Sequence, residues 1–386
     1  MSVTAPQGFR AAGVACGLKA TGAKDMALVV NDGPEFSAGC VTTSNRVYAA
    51  PVEWTRSAVD GTFHAVVLNS GGANACTGAG GYGDTVKTAH AIARGLDLPA
   101  GEVAVCSTGL IGERLDMRAV LAGTAYCLEN LSEDGGQDAA EAIMTTDTRP
   151  KTAVLTSEAG YTIGGMAKGA GMLAPELATM LVVITTDASL QPADAQSALE
   201  AAVAQSFNRI DSDGCMSTND TVLLLASGAS GVRPELASFT ADLTKVAQDL
   251  AAQLIADAEG ASHDIRVTVT GASSQEAGLA VARAVSRSNL LKCAIFGNDP
   301  NWGRVLSALG TVPESVAPFD AGAVDVSING VMVCKDGGVG EDRNLVSMDE
   351  RLVTIDINLK AGSEEVTVLT NDLTHAYVEE NSAYSS

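Results

Sequence analysis

The chain has 386 residues, and 24 lysines and arginines against 46 aspartates and glutamates leave it a net charge of −22. A field of that sign repels phosphate backbones and argues against a nucleic-acid partner. The length exceeds one ordinary core, so two packed domains or one large α/β unit is expected, and with 46% hydrophobic but only 4% aromatic residues its cores are mostly aliphatic.

Short β-branched runs alternate with alanine-rich amphipathic segments, which predicts a mixed α/β or α+β fold. In chain order the patterning predicts strands over Ala27–Val30 and Ala65–Asn69, a helix over Asp84–Arg94, and a strand over Val103–Cys106. Helices over Met117–Glu129 and Gln137–Met144 and a strand over Thr152–Thr156 follow. Residues 164–178 read as a flexible, glycine-studded loop bearing Lys168, and it leads into the strand Met180–Thr185, which Thr179 opens. Beyond lie a helix over Pro192–Phe207, a strand over Thr221–Ala226, a helix over Leu236–Ala258, a strand over Ile265–Val269 and helices over Gln275–Arg287 and Pro300–Ala308. After about Thr311 the chain turns strand-rich, with Ala323–Ile328 and Leu352–Leu359. The clusters SEDGGQ and KDGGVGED read as surface turns.

No run approaches the roughly 18 apolar residues of a membrane span. The opening MSVTAPQGFRAAGVACGLKATG has neither a basic n-region nor a long apolar h-region, so a cytoplasmic location is expected. The eight cysteines form no CxxC pair and are expected to be reduced, mostly buried thiols.

The familiar catalytic signatures are missing. His64, His90, His263 and His375 fall in no HExxH pair and at no zinc spacing with cysteine, so no metal is expected and each histidine reads as structural or surface. Gly78, Gly80 and Gly83 match GxGxxG, but a dinucleotide fingerprint follows its strand directly, whereas SGGANAC intervenes here; the motif reads as a plain glycine turn. There is no Walker A sequence and no GxSxG elbow. Asp211, Asp213, Asn219 and Asp220 lack the EF-hand register and read as structural or supporting residues, and Asn298, Asp299 and Asn301 read as a capping turn before Trp302.

Thr179 offers a different chemistry. A threonine hydroxyl is a poor nucleophile without a base, but a freed α-amino group on the same residue, with a pKa of roughly 7.7–8.0, supplies one. That requires severing the Ala178–Thr179 bond, which the hydroxyl itself can attack if the loop strains the peptide; Pro175 and the upstream glycines suit such a bend.

KGAGMLAPELATML at 168–181 resembles the self-cleavage motif of the ornithine acetyltransferase family, also called bifunctional glutamate N-acetyltransferase. LNSGGANACTG, CSTGLIGE, MTTDTRPK, SFNRIDSDGCMSTNDT, AEGASHDI, AIFGNDPNWGR and the final YVEENSAYSS are also similar and follow in the family's order. The resemblance implies a two-domain, self-processing N-terminal-nucleophile acyltransferase of the ornithine acetyltransferase/aminopeptidase type. Cleavage would leave residues 1–178 as the α chain and 179–386 as the β chain.

By that resemblance Thr179 is both cleavage agent and nucleophile, with Thr108, through its hydroxyl, and Gly109, through its backbone N–H, as oxyanion donors. The implied substrates are N-acetylornithine and glutamate, exchanged by ping-pong through an acetyl-threonine. The implied binding residues are Thr145, with its neighbour Thr146 as a one-residue alternative, Lys168 for a carboxylate, Thr179, Glu259, Asn381 and Ser386. Glu259 could meet the ornithine ammonium or hold the α-amino group. No cofactor is implied; some members accept acetyl-CoA as co-substrate, and no residue here decides that. An α2β2 heterotetramer is the implied assembly. Three rivals stay open: an N-terminal-threonine or serine amidohydrolase or aminopeptidase, a paralogue serving a β-lactam or clavam pathway, and a non-catalytic metabolite-binding protein.

Overall fold

The computed structural model of the chain describes residues 2–58, 60–173 and 180–383. It divides into two compact units, Met1–Asn208 with Cys215–Asp257, and Arg209–Gly214 with Ala258–Tyr384.

The first unit contains strands β1 (Phe9–Val14), β2 (Met26–Asn31) and β3 (Ser37–Thr42), helix α1 (Ala50–Ala58), β4 (Ala65–Asn69), α2 (Gly78–Leu96), β5 (Val103–Ser107), α3 (Met117–Glu129) and α4 (Gly136–Ala142). It continues through β6 (Lys151–Thr156), β7 (Thr162–Lys168), β8 (Leu181–Thr186), α5 (Pro192–Ala204), β9 (Thr221–Ala226) and α6 (Leu236–Ala256). Two sheets form, in the orders β1-β2-β4-β5 and β3-β9-β8-β7-β6.

Successive side chains of a strand point to opposite faces. In β2, Ala27 and Val29 enter a core with Leu68, Cys106, Met166, Val183 and Leu223, which places the two sheets face to face. Met26, Leu28 and Val30 turn the other way, onto Ile92 of α2 and Val120 of α3. On the far side of the second sheet, α5 packs on β3 and β9 and α6 on β6 and β7. The unit is therefore helix, sheet, sheet, helix in section. Strands covered on both faces read as continuous apolar runs, which is why β2, β4 and β8 were legible without alternation.

The second unit holds β10 (Asp264–Ala272), α7 (Gln275–Ser286), α8 (Asn289–Phe296), α9 (Trp302–Leu309), β11 (Asp325–Ile328), β12 (Val331–Lys335), β13 (Gly338–Val339), β14 (Leu352–Asn358), β15 (Glu364–Asn371) and α10 (His375–Ala383). Its sheet runs β13-β12-β11-β14-β10-β15. Here burial alternates: Ile265, Val267 and Val269 pack on Val281, Ile295 and Val305, whereas Arg266 faces outward.

Several expectations are corrected. Residues 162–168 are a strand, not part of a loop. Their glycines serve close packing, because a Cβ on Gly164 would lie 2.2 Å from the Ser2 carbonyl oxygen and one on Gly165 would lie 2.9 Å from Leu250 of α6. Strand β8 begins at Leu181, with Met180 just before it; Thr179 and Ala178 lie outside the described residues. Gly78, Gly80 and Gly83 belong to the first turns of α2 and not to a glycine turn. The cysteines are all free, yet Cys76, Cys215 and Cys293 are exposed and only Cys106, Cys127 and Cys334 are buried, since the exposed three lie in loops or on the open face of α8. The Asn301 side chain does cap α9, accepting from the Arg304 N–H.

Gly164→Ala is expected to destabilise the protein by about 1–3 kcal/mol through overpacking. Denaturant unfolding of the variant checks this.

Candidate active site

Strand β5 ends in a Thr-Gly turn. The Thr108 N–H donates to the Asn69 carbonyl and the Gly72 N–H to the Thr108 carbonyl, both at 3.0 Å. Gly109 has φ +130°, and a Cβ there would stand 2.8 Å from the Gly72 nitrogen. Glycine is therefore required by both conformation and space.

Lys168, the last residue of β7, reaches this turn: its Nζ donates to Thr108 Oγ1 at 3.3 Å, and its side chain is only 1% exposed. Across the β7–β8 ladder Lys168 pairs with Leu181, two residues beyond Thr179. The strands on either side of the expected cleavage point are thus hydrogen-bonded neighbours.

A buried ammonium needs a counter-charge. Asp147 supplies it, and it also organises the backbone. Its Oδ1 accepts from the Gly169 N–H at 2.7 Å and its Oδ2 from the Thr145 N–H at 2.9 Å. Lys151, fully buried, donates to Asp147 at 2.5 Å and to Asp257 at 2.6 Å. Burial opposes ionisation of Asp147, but the charges of Lys168 and Lys151 prevail and hold its carboxyl at about 2. Thr108, Gly109, Lys168 and, through Asp147, Thr145 are in this way brought into one connected region of the first unit. Lys19, whose Nζ donates to the Met144 carbonyl at 2.7 Å, borders it.

One further carboxyl stands at the entry to β8. Asp220 is fully buried, and its Oδ1 accepts from the Met180 N–H at 2.9 Å. Burial pushes its carboxyl well above the ordinary value, against the opposing pull of the Met180 N–H and the Lys168 charge. Sequence reasoning missed Asp147 and Lys151 as organisers, although both lie inside the MTTDTRPK segment, where a buried i,i+4 acid–base pair leaves no periodic signal.

Glu259 and Asn381 belong to the second unit. Glu259 is buried and lines a cavity of about 210 Å³ with Asp213, Lys292, Asp372 and Tyr377. Burial lowers the Lys292 pKa, against the neighbouring carboxylates Asp213, Asp211 and Asp372. Gly260 follows with φ +62°, and a Cβ there would fall 2.3 Å from the Tyr377 nitrogen, so the AEGA turn packs directly on the start of α10. Asn381, exposed on α10, donates to the Tyr377 carbonyl at 3.0 Å. Ser386 lies outside the described residues.

His263 builds no relay. Ser262 Oγ and Asp372 Oδ2 both meet His263 at Nδ1, at 3.1 and 2.9 Å, whereas a nucleophile–base–acid chain needs opposite ring nitrogens. Among the described residues no three His, Cys, Asp or Glu side chains are grouped to hold a metal. No helix among them is long and apolar enough to cross a membrane.

Asp147→Asn strips a buried cation of one partner, and a loss of about 3–5 kcal/mol is expected. Because the folded-state carboxyl lies below its unfolded value, its contribution is complete above about pH 4 and is lost as pH falls toward 2. The stability gap between wild type and variant should therefore narrow over that window in urea titrations.

The family model described as "ArgJ family" matches residues 10–386. The chain is 58% identical over 391 residues to the arginine biosynthesis bifunctional protein ArgJ of Bifidobacterium longum, with 100% of both chains covered. It is 59% identical over 387 residues to the protein of the same name from Streptomyces avermitilis, again with 100% of both covered. Among solved structures it is similar to an ornithine acetyltransferase from Mycobacterium tuberculosis complexed with ornithine: 53% identity, 47% of this chain and 96% of that one, TM-score 0.44.

Proposed function

This chain belongs to the ArgJ family, and from that premise we propose that Thr179, freed by self-cleavage, carries an acetyl group from N-acetylornithine to glutamate. The protein is an acyltransferase of arginine biosynthesis. The Thr179 hydroxyl attacks the acetyl carbonyl of N-acetylornithine, and its own α-amine takes the hydroxyl proton. The resulting oxyanion is met by the Thr108 O–H and the Gly109 N–H. The C–N bond breaks, the protonated amine returns its proton to the leaving ornithine nitrogen, and an acetyl-threonine ester remains. The glutamate α-amine then attacks the ester, and N-acetylglutamate leaves with the Thr179 hydroxyl restored.

The observation that supports this most is the hydrogen bond from Lys168 to Thr108 Oγ1. An ammonium donor occupies the oxygen's acceptor side, which leaves the hydroxyl hydrogen to be given to an incoming oxyanion. The same cation suits a substrate carboxylate, and Thr145 stands in the region Asp147 organises. In this reading Glu259, Asn381 and Ser386 also belong to the binding set.

No cofactor enters the exchange; acetyl-CoA is a second donor that the reading accommodates. The assembly is an α2β2 heterotetramer in the cytoplasm. In this reading cleavage after Ala178 does not release the β chain, because β8 stays paired to β7 and β9 to β3, both strands of the α chain.

A denaturing gel with N-terminal sequencing tests the reading: two fragments are expected, the second starting Thr-Met-Leu-Val, and Thr179→Ala should stay as one intact band. A cleaved Thr179→Ala protein would refute it. Separately, the purified enzyme should move acetyl from N-acetylornithine to glutamate faster than it releases free acetate; the reverse ranking points to an amidohydrolase. Thr108→Val should lower kcat by about 100- to 1,000-fold per cleaved chain.

A further inference from the structure

Two adjacent residues just before β9 touch both halves of the proposed machinery. Asn219 is 3% exposed and Asp220 is fully buried. The Asn219 Nδ2 donates to the Ser107 carbonyl at 2.9 Å and to the Ala73 carbonyl at 2.6 Å. Ser107 is the covalent neighbour of Thr108, and Ala73 follows Gly72, whose N–H holds the Thr108 carbonyl. One amide group thus grips the oxyanion turn from two sides.

Asp220 works in the opposite direction. Its Oδ1 takes the Met180 N–H, and the Met180 nitrogen is bonded to the carbonyl carbon of Thr179. The backbone reinforces this link: the Thr221 N–H donates to the Met180 carbonyl at 3.2 Å, and the Thr43 N–H to the Asp220 carbonyl at 2.9 Å. Three backbone bonds therefore separate the Cα of Asn219, whose side chain holds the Thr108–Gly109 turn, from the Cα of Asp220, whose side chain holds the amide of Met180.

We propose that Asn219 and Asp220 are positioning residues which together tie the oxyanion turn to the Met180 amide, for self-cleavage and for acetyl transfer alike. The inference rests on the reading of Thr179 as nucleophile. It gives the MSTNDT segment a role that cation binding does not explain. An ordinary strand entry would need only the backbone ladder, which β8 and β9 already provide from Leu181↔Thr221 onward; the two side chains add ties to the one end of the sheet where the chemistry is assigned. Near-attack geometry is steep in distance, and a misplacement of about 1 Å costs about 100-fold in rate. The Asp220 oxygen accepts the amide hydrogen whether its carboxyl is ionised or protonated, so the grip does not depend on pH.

Isosteric exchange tests this. Asp220→Ala should slow self-cleavage and lower kcat, counted per chain that carries a free N-terminal threonine, by about 100-fold, with KM for glutamate changed by less than about threefold. Asp220→Asn keeps an acceptor of the same shape and should recover most of that loss. Asn219→Asp replaces two donors with oxygens facing two carbonyls and should be at least as damaging as Asn219→Ala. Because Asn219 acts through the turn that carries both donors, the losses from Asn219→Ala and Thr108→Val should combine to less than their product. Circular dichroism and thermal melting establish that each variant is folded, and Asn219→Ser and Asp220→Ser replace any alanine variant that is not. Variants that cleave and turn over at the wild-type rate, an Asp220→Asn no better than Asp220→Ala, or losses at 108 and 219 that multiply would each overturn the proposal. A Thr179→Ala chain that cuts itself would instead overturn the parent reading and is read on a separate gel.

Discussion

Burying a positive charge costs several kcal/mol unless an opposite charge and hydrogen bonds come with it, and the first unit buries two lysines in one region. Lys151 is fully enclosed and Lys168 nearly so. Asp147 answers both, while Asp257 takes the second side of Lys151. The carboxyl oxygens of Asp147 also hold the Gly169 and Thr145 amides. Moving any of these groups would leave a charge unmatched, so electrostatics ties the end of β7 to the start of the MTTDTRPK segment. The assignments of Lys168 and Thr145 rely on that tie.

The layered sheets supply the rest of the rigidity. Thr108 and Gly109 terminate β5 in one sheet, and Lys168 terminates β7 in the other. The apolar layer between the sheets, with Leu68 and Cys106 against Met166 and Val183, sets how closely those two ends approach. A single 3.3 Å contact between Lys168 and Thr108 is the chemical product of that packing. The ladder β7–β8–β9 spans the expected cleavage point, so a broken peptide there leaves the sheet's hydrogen bonds in place. The compact units accordingly do not divide at residue 178.

Much was legible from local patterning because two-sided burial produces unbroken apolar runs: β4 and β9 are as predicted, and β2 and β5 differ by no more than one residue at either end. Strands such as β1 and β7 escaped notice because glycine and small residues occupy them, a composition that reads as loop until the neighbour pressing on the missing Cβ is known. Helix α10 was hidden for the opposite reason, being polar on nearly every face with no buried stripe to give a period. The exposed cysteines were misjudged because burial of a small, weakly polar side chain depends on where its loop lies.

By itself the amino-acid order determined the family, through co-linear motifs, together with the mixed α/β class, and it pointed to Thr179 by similarity to the family's self-cleavage motif. It could also mark Thr108, Gly109 and Lys168, by similarity. Only the tertiary structure decided that the Lys168 ammonium meets the Thr108 hydroxyl, that Asp147 and Lys151 hold the surrounding backbone, and that Asn219 holds the Thr108 turn while Asp220 holds the entry to β8. Those contacts join residues up to 146 positions apart, and the energy of a buried charge or amide depends on what surrounds it in space, which no local pattern of residues encodes.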